Sequence, residues 1–583
     1  MNREVAAGPL EVVLAWLFAS TAETPVPADW VPGATDEERA RLAALGGLAS
    51  ALVAGGDVTH PAFAHPSLTS WLNDGPTPPE EVIVAGKELL AESPDEGLAG
   101  LYSLVVSGKS RRTLGTFFTP PEEVTWMVSQ WRDHHGTPNV VVDVGAGVGI
   151  FTTVAAQEWV DSQVWAVDIN PITLGLLALR VRDGFKVKRT DEPGTGLRLV
   201  LDDFTLWMRQ EYERLATGRL ILGNPPYTRL QLLPVDQRER LWEAAAGLCG
   251  RRASLSALIT AMSLTALNPE DGLCLLLPAQ WLESDYATGL RDYLWALRRR
   301  RVELHLFDKN VFEGDAQVDA VALMVGPQQE ADQAIVFSGS GKSRMHTGRA
   351  KAPKRWRPLF SGTPTEGSVE SGARLSDALT VRRGVATGAN GFFVFTESQR
   401  KALGLDESTV TPLVRRLLGL PEALTPEWLS ERSAEDQYWL LTATQTDVDA
   451  FEGLSEYVAL GESEPNKFHL RHLCETRAVW FDLTAEVFYP DLVIGQSTKK
   501  EFRFVEVGGQ ATVVNNLYGM RWKPAIDVAV RADVLAWLRS EDGQAAITAH
   551  ARTQGVGLLK IEPRALLDVP LPERFISLRE TLL

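Results

Sequence analysis

Cysteine is scarce. Cys249, Cys274 and Cys474 are the only three in 583 residues, and they lie far apart. That spacing excludes a disulfide framework and any Cys-x-x-Cys metal site, and each is expected to be a buried small hydrophobe. His472 stands near Cys474 but without metal-ligand spacing, so no metal site is expected. Long apolar runs are missing too: stretches such as Leu273 to Leu277 fall far short of the ~20 residues a membrane helix needs. Near the N-terminus Arg3 is offset by Glu4 and Glu11, and Val12 to Ala19 is short and lacks a clear cleavage pattern, so the expectation is a cytoplasmic protein without a signal peptide. Nor is there a surplus of positive charge. The formal net charge of -17 argues against general coating of nucleic acid. The charge is uneven, however. Residues 1–110 hold fifteen acids against five Lys or Arg, a net of -10, which leaves -7 for the remaining 473 residues. By contrast, 342–357 carries seven Lys or Arg and no acid, among them Lys351, Lys354, Arg355 and Arg357. A phosphate-neutralising surface and a solvated linker both fit that window.

What is present suggests roughly three or four domains at ~150 residues each, with 45% hydrophobic content to fill their cores. Residues 1–110 show helix-like stretches at 37–53 and 79–91 between Pro and Gly clusters, which reads as a small helical domain. From residue 111 to about 330, short β-rich runs alternate with helical ones: strands at 140–144, 163–168, 197–201, 219–222, 273–277, 302–307 and 320–325, with helices between most of them. That alternation predicts an α/β fold with a largely parallel sheet covered by helices on both faces. Residues 331–370, rich in Gly, Ser, Pro and basic side chains, read as a linker, and 371–583 as a mixed α/β domain.

Two loops in the α/β segment carry chemistry. Asp143-Val144-Gly145-Ala146-Gly147-Val148-Gly149 follows the first strand and opens a helix, where glycines permit a tight turn and the close approach of a nucleotide-like ligand. Asp168, ending the second strand, is placed to hold ribose hydroxyls. After the fourth strand comes Asn224-Pro225-Pro226-Tyr227. An exocyclic or amide nitrogen is planar and weakly nucleophilic, so an enzyme that methylates one gains by holding it toward tetrahedral geometry. The Asn224 side-chain oxygen and the Pro225 carbonyl offer two fixed acceptors, the prolines stiffen the loop, and Tyr227 offers a ring for stacking. A nicotinamide enzyme has no need of such a loop. S-adenosylmethionine, which has a ribose but no pyrophosphate, suits both loops together.

The order of these motifs resembles that of gamma-class adenine-N6 DNA methyltransferases of bacterial restriction-modification systems, over about residues 111–330 and more loosely beyond. The resemblance implies a Rossmann-like S-adenosylmethionine-dependent domain. Gly115 to Pro121 looks like the family's segment before the glycine loop, giving Thr116, Phe118 and Thr119 as contacts to the methionine part of the cofactor. Asp143, Gly145 and Gly147 match the glycine motif, Asp168 the ribose acid, and Asp203-Phe204 the pair that contacts the cofactor adenine, though taken alone Asp203 also suits a helix cap. Asn224 to Tyr227 is then the catalytic loop, and Val311 to Val318 resembles the loop whose aromatic residue packs on the flipped base, which makes Phe312 a second stacking residue beside Tyr227. The chain departs from the family where Asp-Pro-Ala-Cys-Gly-x-Gly is usual, having Val144, Gly145 and Ala146 instead.

In such a family the C-terminal half is a target-recognition domain that clamps double-stranded DNA. Arg382 to Phe393 resembles its glycine-rich entry, and Gly555 to Arg564 with Val569 to Pro572 its close. Between them basic and aromatic residues interleave from Lys467 to Arg503, with Lys499 and Lys500 as phosphate contacts. The implied enzyme is a monomer that flips its target base, partnered by a separate nuclease or by defence proteins. An RNA or release-factor glutamine methyltransferase and a catalytically inert DNA-binding component are the alternatives.

Overall fold

In the computed structural model the described residues are 8–20, 25–53, 65–92, 97–107, 110, 119–184, 196–228, 230, 233–307, 311, 319–339, 341–347, 352–361, 372–554 and 558–580. The chain divides into two units, Met1–Thr365 and Glu366–Leu583.

The first unit is organised by nine strands: β1 (Val140–Val144), β2 (Gln163–Asp168), β3 (Gly196–Leu201), β4 (Arg219–Gly223), β5 (Gly272–Pro278), β6 (Arg300–Leu306), β7 (Ala320–Gln328), β8 (Ile335–Gly339) and β9 (Lys342–His346). Their order is β3-β2-β1-β4-β5-β7-β6-β8-β9. Neighbours from β3 through β5 are parallel, and β7 runs antiparallel between β5 and β6. Because strand side chains alternate between faces, β1 feeds two cores. Val140, Val142 and Val144 join one with the helix Leu255–Thr265, while Val141 joins the other with the helices Pro121–His135 and Ile150–Glu158. Helices on both faces thus bury a sheet that is apolar on both sides, as the alternating pattern predicts. The strand order reverses between β1 and β4. In open α/β sheets, ligands bind in the crevice at the carboxyl ends of strands at such a point.

Two expected boundaries shift. Helices Pro9–Ala19, Asp36–Val53, Pro66–Asn73, Glu80–Glu92 and Gly97–Val105 do form at the N-terminus. Their apolar faces, however, share one core with Ile172, Leu176 and Leu179 of the helix Pro171–Gly184, so residues before 110 are not separately cored. The expected linker at 331–370 also contains structure. β8 pairs parallel with β6 and β9 pairs with β8, extending the sheet. Trp356, within the basic window, is fully buried against Trp281 and Phe337. The apolar run Ile335-Val336-Phe337 carried that strand signal, outweighed by the Gly, Ser and basic residues around it.

The second unit has a four-stranded sheet built around Leu492–Gly495 and Leu517–Trp522, another around Val410–Val414 and Tyr438–Leu441, and a three-stranded one containing Ser497–Thr498. Among the described residues no helix is long and apolar enough to cross a membrane. Cys274 and Cys474 are buried as expected, whereas Cys249 is only half-buried.

Candidate active site

Register brings the two chemical loops together. Val144 at the end of β1 pairs with Gly223 at the end of β4, so the glycine loop and Asn224 leave the sheet at the same level. A Cβ placed on Gly145 would lie 3.7 Å from Pro226 Cδ and 3.9 Å from the Asn224 carbonyl oxygen. The glycine loop turns back on the neighbouring strand, with Gly145 N and Ala146 N donating to the Val167 carbonyl at 3.0 and 3.1 Å. Gly147 and Gly149 have φ of +55° and +85°, in the left-handed region where only glycine is unstrained. Gly149 also has no room for a side chain: a Cβ there would meet Leu177 Cδ1 at 2.1 Å.

Asp168 is fixed from two sides. Its Oδ2 accepts from Gly147 N at 2.7 Å and its Oδ1 from Asn170 N at 2.7 Å. Burial raises its pKa above the ordinary carboxylate value, and these backbone donors work against that rise. Asp143 lies deeper. Burial pushes its pKa up to about 7, a 2.5 Å hydrogen bond from Thr152 Oγ1 opposes the rise, and the charge of Asp168 adds to it. Among the described residues Asp143 Oδ1 is buried without a hydrogen-bond partner, which adds to the cost of ionising the carboxyl. Its bond from Thr152 ties the end of β1 to the helix Ile150–Glu158.

The pair Asp203-Phe204 opens the helix Phe204–Glu211. Asp203 Oδ1 accepts from Thr205 N at 2.8 Å and from Thr205 Oγ1 at 2.7 Å, so the cap reading holds, and Oδ2 accepts from Gln237 Nε2 at 3.0 Å. An ionised carboxylate has about four acceptor positions, so a ligand amino group can still be taken. Phe204 packs on Trp207 with centroids 6.4 Å apart. These groups, with Gly147, Asp168 and Asn224, line one cavity of about 490 Å³. Ile169 lines it as well, 67% exposed, an apolar surface that its position directly after the acid could have flagged.

Asn224 Nδ2 donates to the buried Thr119 Oγ1 at 3.1 Å. Thr119, expected at the cofactor, lines the same cavity and fixes the Asn224 amide. Pro225 is buried and Tyr227 half-buried; the phenol donates to the Leu276 carbonyl on β5 at 3.4 Å, and burial raises its pKa so that it stays neutral. Thr116, Phe118, Phe312 and Lys351 lie outside the described residues.

The basic residues part company. Lys354 is exposed, and so are Lys499 and Lys500, just after the strand Ser497–Thr498. Arg357 instead pairs with Asp319 at 2.7 Å, with both side chains under 20% exposed. It is a structural ion pair rather than a free phosphate contact, because the buried Trp356 beside it pins that stretch to the α/β unit. In the second unit, Arg477 is likewise spent internally, on Glu486 at 2.5 Å and the Thr387 carbonyl at 3.0 Å. Sequence reading passed over a groove of about 590 Å³ in that unit lined by Arg415, Arg416, Arg432, Trp428 and Tyr438. There the Arg415 and Arg432 guanidinium groups lie 5.3 and 4.7 Å from the ring centroids of Tyr438 and Trp428.

The fold is Rossmann-like, and the paired loops resemble those of S-adenosylmethionine-dependent methyltransferases. More particularly, the chain resembles the methyltransferases of restriction-modification systems. Residues 368–582 match the family described as Type II methyltransferase M.Eco57I, C-terminal domain. The chain is 21% identical over 493 residues to the Type II methyltransferase M.AccI of Acinetobacter calcoaceticus, covering 80% of this chain and 86% of that one. It is 23% identical over 479 residues to the Type II methyltransferase M.XamI of Xanthomonas campestris pv. amaranthicola, covering 79% and 85%. Its fold is similar to that of the Type IIL restriction-modification enzyme MmeI, solved in complex with DNA, at a TM-score of 0.53 and 13% identity over 98% of this chain and 87% of that one. The same holds for DrdV in its DNA complex, at 0.56 and 10% identity over 98% and 68%.

Proposed function

We propose that the protein methylates the N6 amino group of adenine at a specific site in duplex DNA, using S-adenosylmethionine, as the modification enzyme of a restriction-modification pair. The observation that carries this reading is the Val144–Gly223 register, which brings Asn224 and Pro226 into the lining of a cavity that also holds Asp168, Asp203 and Phe204, with Pro225 between them.

The residues fit the cofactor. Asp168 would hold the ribose hydroxyls, Asp203 and Phe204 the adenine, and the bare face of Gly147 permits close approach. When bound, S-adenosylmethionine supplies an electrophilic methyl group on a sulfonium. The chain does the rest. A base inside a duplex cannot reach the cavity, so the target nucleotide must turn out, losing stacking and pairing worth a few kcal/mol. Aromatic stacking on Tyr227 and Phe312 offsets that loss. Asn224 Oδ1 and the Pro225 carbonyl each accept one N–H of the amino group and hold its lone pair toward the methyl carbon. Positive charge develops on the amino nitrogen as it is methylated, and the same two acceptors would strengthen with it, lowering the barrier before a proton leaves to water. No strong base is needed, in keeping with a neutral Tyr227.

In this reading residues 366–583 form the target-recognition domain. Lys499 and Lys500 contact phosphates, and the arginine–aromatic groove between Arg415 and Tyr438 is a surface able to read base edges. A separate nuclease would then be the counterpart of the mark.

The test is to incubate purified protein with labelled S-adenosylmethionine and unmethylated bacterial DNA and to map the modified bases. N6-methyladenine within one short motif is expected, and Asn224→Ala should abolish it while cofactor binding survives. Wild-type turnover by Asn224→Ala would refute the mechanism. N4-methylcytosine, or label only in RNA or in protein glutamine, would refute the substrate.

A further inference from the structure

The N-terminal helical region has no part in the chemistry above, yet one of its turns reaches the cavity. Asp29, Trp30 and Pro32 line the same space as Asp168, Ile169 and Asn170. Elementary structure explains how the turn is held there. Trp30 N donates to the Pro27 carbonyl at 3.2 Å and Ala34 N to the Val31 carbonyl at 3.0 Å, closing two successive turns. Val26 N donates to the Arg39 carbonyl at 3.3 Å, and Arg39 Nη1 returns a bond of 2.9 Å to the Val26 carbonyl, which ties the turn to the helix Asp36–Val53. Val31 is fully buried in the N-terminal core. With Val31 pointing inward, Asp29 is exposed and Trp30 half-buried.

That core is anchored on the ribose side of the cavity. It contains Ile172, Leu176 and Leu179, from the helix that begins directly after Asp168, Ile169 and Asn170. Asn170 Nδ2 also donates to the Tyr102 hydroxyl at 3.4 Å, a second tie between the helical region and the loop after β2. The helical region therefore shares its rigidity with the residues that would hold a ribose, and presents an indole ring and a carboxylate to the same space.

We infer that the turn from Asp29 to Pro32 is part of the cofactor site, with Trp30 covering the nucleoside half of S-adenosylmethionine and Asp29 serving as a second acceptor for its polar edge. This rests on the cofactor reading above. An indole supplies a large apolar face at little entropic cost and excludes water from hydrogen bonds beneath it. It gives the acidic N-terminal region a binding task.

The experiment uses the full chain and hydrogen–deuterium exchange with S-adenosylhomocysteine, adenosine or methionine added separately. S-adenosylhomocysteine and adenosine should each slow exchange in residues 25–34 as well as in 144–149, and methionine alone should not slow it in 25–34. In parallel, calorimetry should show Trp30→Ala weakening S-adenosylhomocysteine about tenfold or more, the scale of one lost stacking partner at ~1–2 kcal/mol, with Trp30→Phe retaining most of the affinity. If Trp30→Ala does not fold, the exchange data and Asp29→Asn, on an exposed side chain, carry the same question. Protection of 144–149 without protection of 25–34, or methionine alone protecting 25–34, would overturn the inference and leave the cofactor reading standing. An absence of protection in both segments would overturn the cofactor reading itself.

Discussion

The glycine loop offers a pair of substitutions that separate architecture from ligand approach. Gly147 and Gly149 stand two residues apart, both left-handed at φ +55° and +85°, yet their surroundings differ. A Cβ on Gly149 would lie 2.1 Å from Leu177 Cδ1 and 2.9 Å from both Leu177 Cδ2 and Cγ, so the whole end of the side chain obstructs it and a rotamer change alone does not clear it. Among the described residues a Cβ on Gly147 meets only the Gly145 carbonyl oxygen, at 3.9 Å, and Gly147 lines the cavity. Left-handed backbone costs an alanine about 1–2 kcal/mol, and overpacking a filled core about 1–3 kcal/mol more. Gly149→Ala should therefore destabilise the first unit by about 2–5 kcal/mol, and Gly147→Ala by only the ~1–2 kcal/mol backbone share. For the ligand the order reverses. One methyl group placed in a shaped site is worth ~1–3 kcal/mol, so Gly147→Ala should weaken S-adenosylhomocysteine by roughly 10- to 200-fold. Denaturant unfolding and calorimetric titration of the two variants measure both quantities. If Gly147→Ala binds like the wild type, or if Gly149→Ala unfolds at the wild-type midpoint, the assignment of a ligand-facing and a core-facing glycine is wrong.

Further substitutions probe the rest of the site and the basic surface. Thr119→Val keeps the shape but removes the hydroxyl that accepts from Asn224 Nδ2; a hydrogen bond of ~0.5–1.5 kcal/mol predicts a kcat about 2- to 12-fold lower, restored by Thr119→Ser, and an unaltered kcat would show that the amide is oriented by something else. Asp143, with its pKa raised from 3.8 to about 7, binds a proton in the folded state that the unfolded chain releases; its contribution is fully present below pH 3.8 and is lost as pH rises through 7, so Asp143→Asn should gain stability relative to wild type between pH 4 and pH 7.5, and a difference independent of pH would contradict the shift. Replacing Lys499 and Lys500 by alanine should lower DNA affinity and reduce the salt slope by about one per lost phosphate contact, whereas Arg357→Ala should lower stability and leave the slope alone; the opposite pattern would return Arg357 to the DNA surface.

Strand signals in the α/β segment were legible because a strand buried on both faces needs a continuous apolar run, and Val140 to Val142 and Val164 to Val167 are such runs. The same rule explains why β9 was missed, whereas β8 has its apolar run, Ile335 to Phe337, and was hidden only by the Gly, Ser and basic residues around it. β9, Lys342–His346, has four of its five residues exposed, so its pairing with β8 is written in backbone hydrogen bonds and leaves no apolar trace. Long-range choices are equally silent. Nothing local to Arg357 distinguishes it from Lys354; what does is Asp319, 38 residues earlier, brought close only once Trp356 has found its core.

The site shows the same division, and shows why it arises. Glycines, Asp168 and Asn224 to Tyr227 could be read because each is demanded by local chemistry: a turn, a strand end, a pair of acceptors. The groups that orient them are separated from them by the fold. Thr119 meets Asn224 across 105 residues, Gln237 meets Asp203 across 34, and the turn at Trp30 reaches Asp168 by way of a core it shares with the helix Pro171–Gly184. A reacting group must have a particular composition, whereas a supporting group need only arrive with a donor, an acceptor or a ring in the right place, and many residue types can do so. Sequence therefore favours the discovery of what acts, and structure the discovery of what holds it. For this reason Thr119, which its motif marks only as a cofactor contact, and Trp30, which no motif marks, are the residues whose substitution would say most about how this site is assembled.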